Sequence, residues 1–165
     1  MSAHIANGMF GAVVIDPPEL PSVDREYLLV QSEFYLGEQN GTADPAKVNA
    51  KEPDMVAFNG YANQYDHDPL TARTGERVRI WVLTAGPNLP GAFHVVGGQF
   101  DTVFREGAYD LRPGGTEHGG AQILDLAPAS GGFVELTLPE AGDYPFVTHI
   151  MSDAERGAHG ILRVR

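Results

Sequence analysis

Six histidines are the side chains of this sequence best suited to metal or acid–base chemistry. They are His4, His67, His94, His118, His149 and His159, and the chain has no cysteine. Neutral imidazole is the commonest protein ligand of copper and zinc, and it also exchanges a proton near neutral pH. The sequence has no HEXXH, no His-X-His and no histidine pair at helical spacing. Spacing alone therefore does not establish a metal site.

Two of these histidines have both a structural and a chemical interpretation. His94 stands in the apolar run of residues 92–96, just before a Gly-Gly pair. It is either a core histidine bonded to the backbone or a metal ligand at a strand end, which the glycines leave accessible. His67 lies between Asp66 and Asp68, which stabilise a charged imidazolium. It is either a proton donor or part of a solvated turn.

The other candidate groups carry weaker signals. His118 lies in a glycine-rich stretch and is predicted to be exposed, whereas His149 ends an apolar run and is predicted to be half-buried. The acidic pairs at 66/68 and 153/155 are predicted to be solvated turns. Near the start, His4 and Met9 are five residues apart, and Gly8 permits a tight turn between them. A blue copper centre uses two His, one Cys and a weak axial Met, so these two residues are half of such a set.

Length and composition predict one all-β domain. The chain has 165 residues with 20 Gly and 12 Pro, and its net charge of -11 disfavours nucleic acid and anionic lipid as partners. No window reaches the roughly 18 apolar residues of a membrane span, and the first residues lack the pattern of a signal peptide. Strands are predicted at residues 10–16, 26–36, 54–58, 76–83, 92–96, 102–105, 121–126, 133–138, 144–151 and 161–164.

Two short helical segments are predicted between these strands. One covers residues 44–51, with Asp44 as N-cap and Pro45 at the first helical position. The other is a single turn at residues 152–157. About ten strands separated by turns have the spacing of a β-sandwich.

Several sequence segments resemble copper-containing nitrite reductases and two-domain multicopper oxidases. The first is HIANGMFGAVVIDP, residues 4–17, which resembles the end of the first cupredoxin domain of that family. In the family this His and this Met are ligands of the type 1 copper, and the Cys and the other His lie upstream. The resemblance implies that residues 1–15 are the tail of a first domain, in which His4 and Met9 are remnant ligands.

The remaining residues, 16–165, resemble the second cupredoxin domain. The matching segments are VAFNG (56–60), LTARTGERVRI (70–80), FHVVGG (93–98), GGFVE (131–135) and AGDYPFVTH (141–149). The resemblance implies that His94 is a type 2 copper ligand given across a subunit interface to a neighbour's copper. It also assigns the family's proton-transferring role to His67, because this is the only histidine between the FNG turn and the strand of residues 76–83.

The chain also resembles multicopper oxidases, but its C-terminal segment differs from theirs. They finish with His-Cys-His and a further His, where this sequence has Ile150 in place of the Cys and Glu155 in place of that His. The comparison implies that the second domain has no type 1 copper. It also argues against a trinuclear site, which needs His-X-His pairs.

The resemblance implies a Greek-key, cupredoxin-like β-sandwich from a copper oxidoreductase. The parent would be a homotrimer outside the cytoplasm that reduces nitrite to nitric oxide, with oxygen as the other possible substrate. One type 2 ligand does not hold copper, so the chain alone is expected to be inactive. The alternatives are a metal-free interaction module, which forms a trimer or pairs with a separate first-domain chain, and a copper carrier. The lack of Cys argues against the carrier.

Overall fold

A computed structural model describes residues 1–115 and 119–165, which form eleven strands and four short helices. The strands are β1 (Arg25–Phe34), β2 (Met55–Phe58), β3 (Leu70–Ala72), β4 (Arg77–Gly86), β5 (Gly91–Val95), β6 (Thr102–Arg105), β7 (Ala108–Leu111), β8 (Leu124–Leu126), β9 (Gly131–Thr137), β10 (Gly142–Thr148) and β11 (His159–Val164). The helices are α1 (Ser2–Ala6), α2 (Pro45–Ala50), α3 (Gln64–His67) and α4 (Met151–Glu155).

The strands form two sheets that face each other. The six-stranded sheet has the order β2-β1-β4-β9-β6-β7, and the five-stranded sheet has the order β3-β11-β10-β5-β8. Neighbouring strands are antiparallel except for the pairs β1–β4 and β3–β11. Successive strands pass repeatedly from one sheet to the other, as from β4 to β5 and from β9 to β10. The prediction of an all-β, Greek-key sandwich is confirmed.

Alternation along the strands places one row of side chains between the sheets. Phe58, Phe93 and Phe146 meet there, with ring centroids 5.7 to 6.1 Å apart. Leu136 and Leu162 are also fully buried in this core. Because side chains alternate between the two faces of a strand, the residues next to these point away from the core. A smaller apolar cluster of Trp81, Phe104 and Phe133 is also buried, with Leu20 packed against it.

A buried ion pair joins neighbouring strands β4 and β9 beside that smaller cluster. The Arg79 guanidinium lies 2.6 Å from a Glu135 carboxylate oxygen, and the two side chains are only 4% and 5% exposed. Arg77 donates to the other Glu135 oxygen at 2.7 Å. Arg79 also donates hydrogen bonds to the Glu26 carboxylate and to the Pro21 carbonyl. The buried guanidinium therefore has acceptors in addition to Glu135.

Two local predictions are confirmed and two are wrong. The Asp44 carboxylate caps α2 by accepting from the Ala46 amide at 2.8 Å, and α4 forms near the predicted helical turn. The strand predicted at residues 10–16 is absent, because their backbone finds no partner strand in the described chain. Asp153, predicted in a solvated turn, is only 2% exposed. None of the described helices is long and apolar enough to cross a membrane.

Removing Arg79 tests the buried ion pair. Arg79→Ala leaves the Glu135 carboxylate buried with one fewer cation, so we expect a loss of about 3 kcal/mol or more in the free energy of unfolding. The matched control is Arg163→Ala, which breaks the exposed pair with Asp143 at 2.7 Å. We expect its urea midpoint to stay close to that of the wild type. Equal losses in the two variants would contradict the assigned role of burial.

Asp153 makes a pH-dependent contribution to stability. Burial raises the pKa of its carboxyl above the unfolded value, and the nearby Arg156 offsets this only in part. The stabilising protonated form is therefore lost as pH rises through the folded-state pKa. We expect Asp153→Asn to gain stability relative to the wild type as pH rises above about 4. Urea unfolding across pH checks this, and a stability difference that does not change with pH would contradict it.

Candidate metal centre

His94 and His149 lie side by side on the outer face of the five-stranded sheet. His94 on β5 lies opposite Val147 on β10, and these two side chains share one face of the sheet. His149 is two residues beyond Val147, so its side chain points to the same outer face as that of His94. His149 follows the last residue of β10, and its amide donates to the Ala92 carbonyl at 2.6 Å. The two imidazole centroids are 5.5 Å apart, with an interplanar angle of 72°. Strand register therefore brings together two histidines that are far apart in the sequence.

The two rings share an open surface pocket of about 550 Å³, whose other walls are Ala92, Gln122 and Ile123. His94 Nδ1 lies 2.6 Å from the Gln122 carbonyl oxygen. Since a carbonyl only accepts, Nδ1 carries the proton and Nε2 remains available. Metal-ligating histidines in proteins are commonly oriented in this way, by a hydrogen bond from the ring nitrogen that does not bind the metal. In the described chain neither ring nitrogen of His149 has a hydrogen-bond partner.

The pair fits copper in ligand type but not in number. Two imidazoles are suitable ligands for copper. No group of three or more His, Cys, Asp or Glu among residues 1–115 and 119–165 is arranged to hold a metal. The His94–His149 pocket is therefore a half-site, and any further ligands must come from outside the described residues.

His67 does not join this pair. It is the last residue of α3, its side chain is exposed, and it does not line the His94–His149 pocket. Its ring makes no hydrogen bond to the described residues. The structure thus leaves His67 accessible but separate from the two imidazoles.

The predicted remnant ligands of a type 1 copper are His4, which lies in α1, and Met9, which follows that helix. Gly8, with φ of 90°, ends α1, and the Met9 amide donates to the His4 carbonyl at 3.0 Å. The tight turn predicted at Gly8 therefore forms, as is common at helix C-termini. Both side chains are exposed, and neither lines the His94–His149 pocket.

Two histidines have surroundings that the sequence did not predict. His149 is exposed, although its position at the end of an apolar run predicted a half-buried side chain. His159 contacts the Ala154 carbonyl through Nδ1 at 2.7 Å and the Asp66 carboxylate through Nε2 at 2.9 Å. It thereby joins α3 to α4 at the start of β11. The position of His118 lies outside the described residues.

Comparisons with known proteins agree with this architecture. No protein-family model matches the chain. A copper-containing nitrite reductase of Neisseria gonorrhoeae is 38% identical over 170 residues, which cover 98% of this chain and 42% of that protein. A nitrite reductase of Neisseria meningitidis matches to the same extent. The chain thus spans less than half the length of the curated relatives it matches.

Solved structures give the same result. A copper nitrite reductase of Nitrosomonas europaea superposes with a TM-score of 0.85 at 32% identity, covering 100% of this chain and 58% of that one. A multicopper oxidase superposes with a TM-score of 0.80 at 22% identity over 100% of this chain and 53% of the other, which supports the fold alone. Sequence and fold together show that the chain belongs to the cupredoxin-like family of copper-containing nitrite reductases, of whose length it spans a part.

Proposed function

We propose that residues 16–165 are the second cupredoxin domain of a copper oxidoreductase, and that residues 1–15 are the tail of the first. The His94–His149 pocket is this domain's share of a copper centre that another domain or chain completes. The observation that carries the proposal is the pair of imidazoles 5.5 Å apart at an open pocket. The nitrite reductases that the chain resembles favour nitrite as the substrate, with oxygen as the alternative.

Nitrite reduction at copper needs side chains that bind the metal and a proton donor close to them. Each nitrite takes up one electron and two protons and is released as nitric oxide and water. When bound, copper would provide the site for nitrite and deliver the electron. The Nδ1–H bond to Gln122 holds the His94 ring in place with Nε2 available as a ligand. His149 beside it is a second candidate ligand, and whichever ring does not bind the metal is placed to donate a proton.

The arrangement also explains why we expect the chain to be inactive alone. Two imidazoles leave the rest of the copper coordination shell to be filled from elsewhere. His4 and Met9 are remnants of the electron-entry site, and without cysteine they do not form a blue copper centre. A half-site on an open face suits an interface between subunits of a symmetric homo-oligomer. The family resemblance further implies that the proposed parent is a trimer located outside the cytoplasm.

Copper titration tests the half-site directly. We expect the wild-type chain to bind Cu(II) weakly, and His94→Ala and His149→Ala to bind it at least about tenfold more weakly. The control is His67→Ala, which removes an exposed histidine outside the pocket and should bind as the wild type does. Calorimetry gives the affinity, and the EPR signal of bound Cu(II) reports its ligands. Unchanged binding in both pocket variants would refute the half-site.

A chimera tests the roles of the three histidines in turnover. The matched region of the Neisseria gonorrhoeae nitrite reductase would be replaced by this chain and assayed for nitric oxide formation. We expect a ligand substitution to remove the type 2 copper signal together with turnover. Loss of the proton donor should leave the copper signal intact, lower turnover at least about a hundredfold and change its pH profile.

In the chimera His67→Ala decides whether His67 is that donor. Lower turnover with copper retained would support the role that the resemblance assigns to it. Unchanged turnover would exclude this role and leave the donor within the His94–His149 pair. A chimera that folds, binds copper and reduces no nitrite would refute the proposed function.

A metal-free interaction module is the second candidate function. It is favoured by the exposed apolar side chains that precede β1, among them Met9, Val13 and Ile15. Absence of copper binding in the titration, together with a defined oligomer in solution, would support this candidate.

A further inference from the structure

Thr148 is a fully buried threonine directly before His149, at the point where β10 ends. It lies opposite Phe93 on β5, and its amide donates to the Ala158 carbonyl, just before β11, at 3.0 Å. Its side chain points into the core, whereas the rings of His94 and His149 lie on the outer face. Thr148 is therefore held between two strands, directly beneath the two imidazoles.

The hydrogen bonds between Ala92 and His149 depart from those of a regular ladder. Because Phe93 lies opposite Thr148, the same register sets Ala92 opposite His149. In a hydrogen-bonded antiparallel pair the two residues exchange two backbone bonds. The His149 amide donates to the Ala92 carbonyl at 2.6 Å, but the Ala92 amide donates to the Thr148 hydroxyl oxygen at 3.2 Å. The side chain of Thr148 thus takes the place of a backbone carbonyl.

The course of the chain after β10 explains why a side chain is needed here. Ile150 is the N-cap of α4, with φ of -80° and ψ of 90°, and its carbonyl accepts from the Asp153 amide at 2.8 Å. The backbone therefore leaves the sheet immediately after His149. Without the Thr148 hydroxyl, the Ala92 amide would lose its acceptor, and an unpaired amide in a partly buried place costs free energy.

The start of β5 is fixed from the core side as well. A Cβ added at Gly91 would lie only 2.5 Å from Thr84 Oγ1, so β5 passes close to β4 of the opposite sheet at this point. The strand that carries His94 therefore has a fixed position. The Thr148 bond then places the segment that carries His149 against it.

We propose that Thr148 is a positioning residue for the His94–His149 pair, because its hydroxyl replaces the missing ladder bond and fixes the separation of the two rings. It acts through the backbone of Ala92 and His149, since its own side chain points to the other side of the sheet. The consequence for copper rests on the proposed function. Two imidazoles that bind one ion must be held at a constant distance by the residues that support them.

NMR of the metal-free chain tests the bond. Thr148→Val keeps the shape of the side chain and removes the acceptor, so we expect the Ala92 amide to exchange with solvent at least about fivefold faster. The nuclear Overhauser contact between the rings of His94 and His149, whose centroids are 5.5 Å apart, should weaken. Thr148→Ser keeps an acceptor and should restore both signals. A wild-type Ala92 amide that exchanges as fast as an unpaired amide would overturn the proposal without any variant.

The matched control is Thr102→Val on β6, in the other sheet. Thr102 is also buried, its hydroxyl accepts from the Arg77 guanidinium at 3.0 Å, and it does not line the His94–His149 pocket. We expect this variant to lose stability while the contact between the two imidazoles stays as in the wild type. An equal weakening of that contact in Thr102→Val and Thr148→Val would point to a general loss of stability and overturn the positioning role.

Copper titration separates this proposal from the half-site. We expect Thr148→Val to bind Cu(II) about fivefold more weakly, with an altered EPR spectrum, and Thr148→Ser and Thr102→Val to match the wild type. Copper binding that needs His94 and His149 but is unchanged in Thr148→Val would refute the positioning role and leave the half-site intact. A wild type that binds no copper would refute the half-site, and a ring contact that depends on Thr148 would still support the positioning role.

Discussion

The alternation of side chains between the two faces of each strand is the constraint on which the rest of the structure depends. With Phe93 and Val95 in the core, His94 has to point outward. With Phe146 and Thr148 buried on β10, the next residue, His149, points outward as well. The register between β5 and β10 then sets the two rings beside each other. The placement of the two imidazoles thus follows from core packing and strand register, and the Gln122 carbonyl, just before β8, fixes the His94 ring.

The sequence predicts the features that are governed by local rules. Asp44 and Pro45 start α2 as expected, and the alternating segment predicted at residues 76–83 coincides with β4 from residue 77 onward, because caps and periodicity act over a few residues. What could not be predicted depends on contacts distant in the sequence. The pairing of His94 with His149 needs the strand register, and the burial of Asp153 needs the packing of α4 on the sandwich. The strand expected at residues 10–16 failed for the same reason, since a ladder requires a partner.

The two outer faces of the sandwich are used differently. Residues that precede β1 cover part of the six-stranded sheet, where they satisfy the buried Arg79 and close over the Trp81 cluster. The five-stranded sheet presents its imidazoles at an open pocket. The open pocket holds only two imidazoles, so this face is suited to share a metal with another domain or chain. The covered face of the six-stranded sheet is suited to stabilise the fold.

The imidazole of His159 links three elements that are distant in the sequence. It stands at the start of β11, and its Nδ1 lies 2.7 Å from the Ala154 carbonyl in α4. Its Nε2 lies 2.9 Å from the Asp66 carboxylate in α3. Because α3 ends with His67, the ring at the start of the last strand also helps to hold the backbone that carries the exposed His67 imidazole.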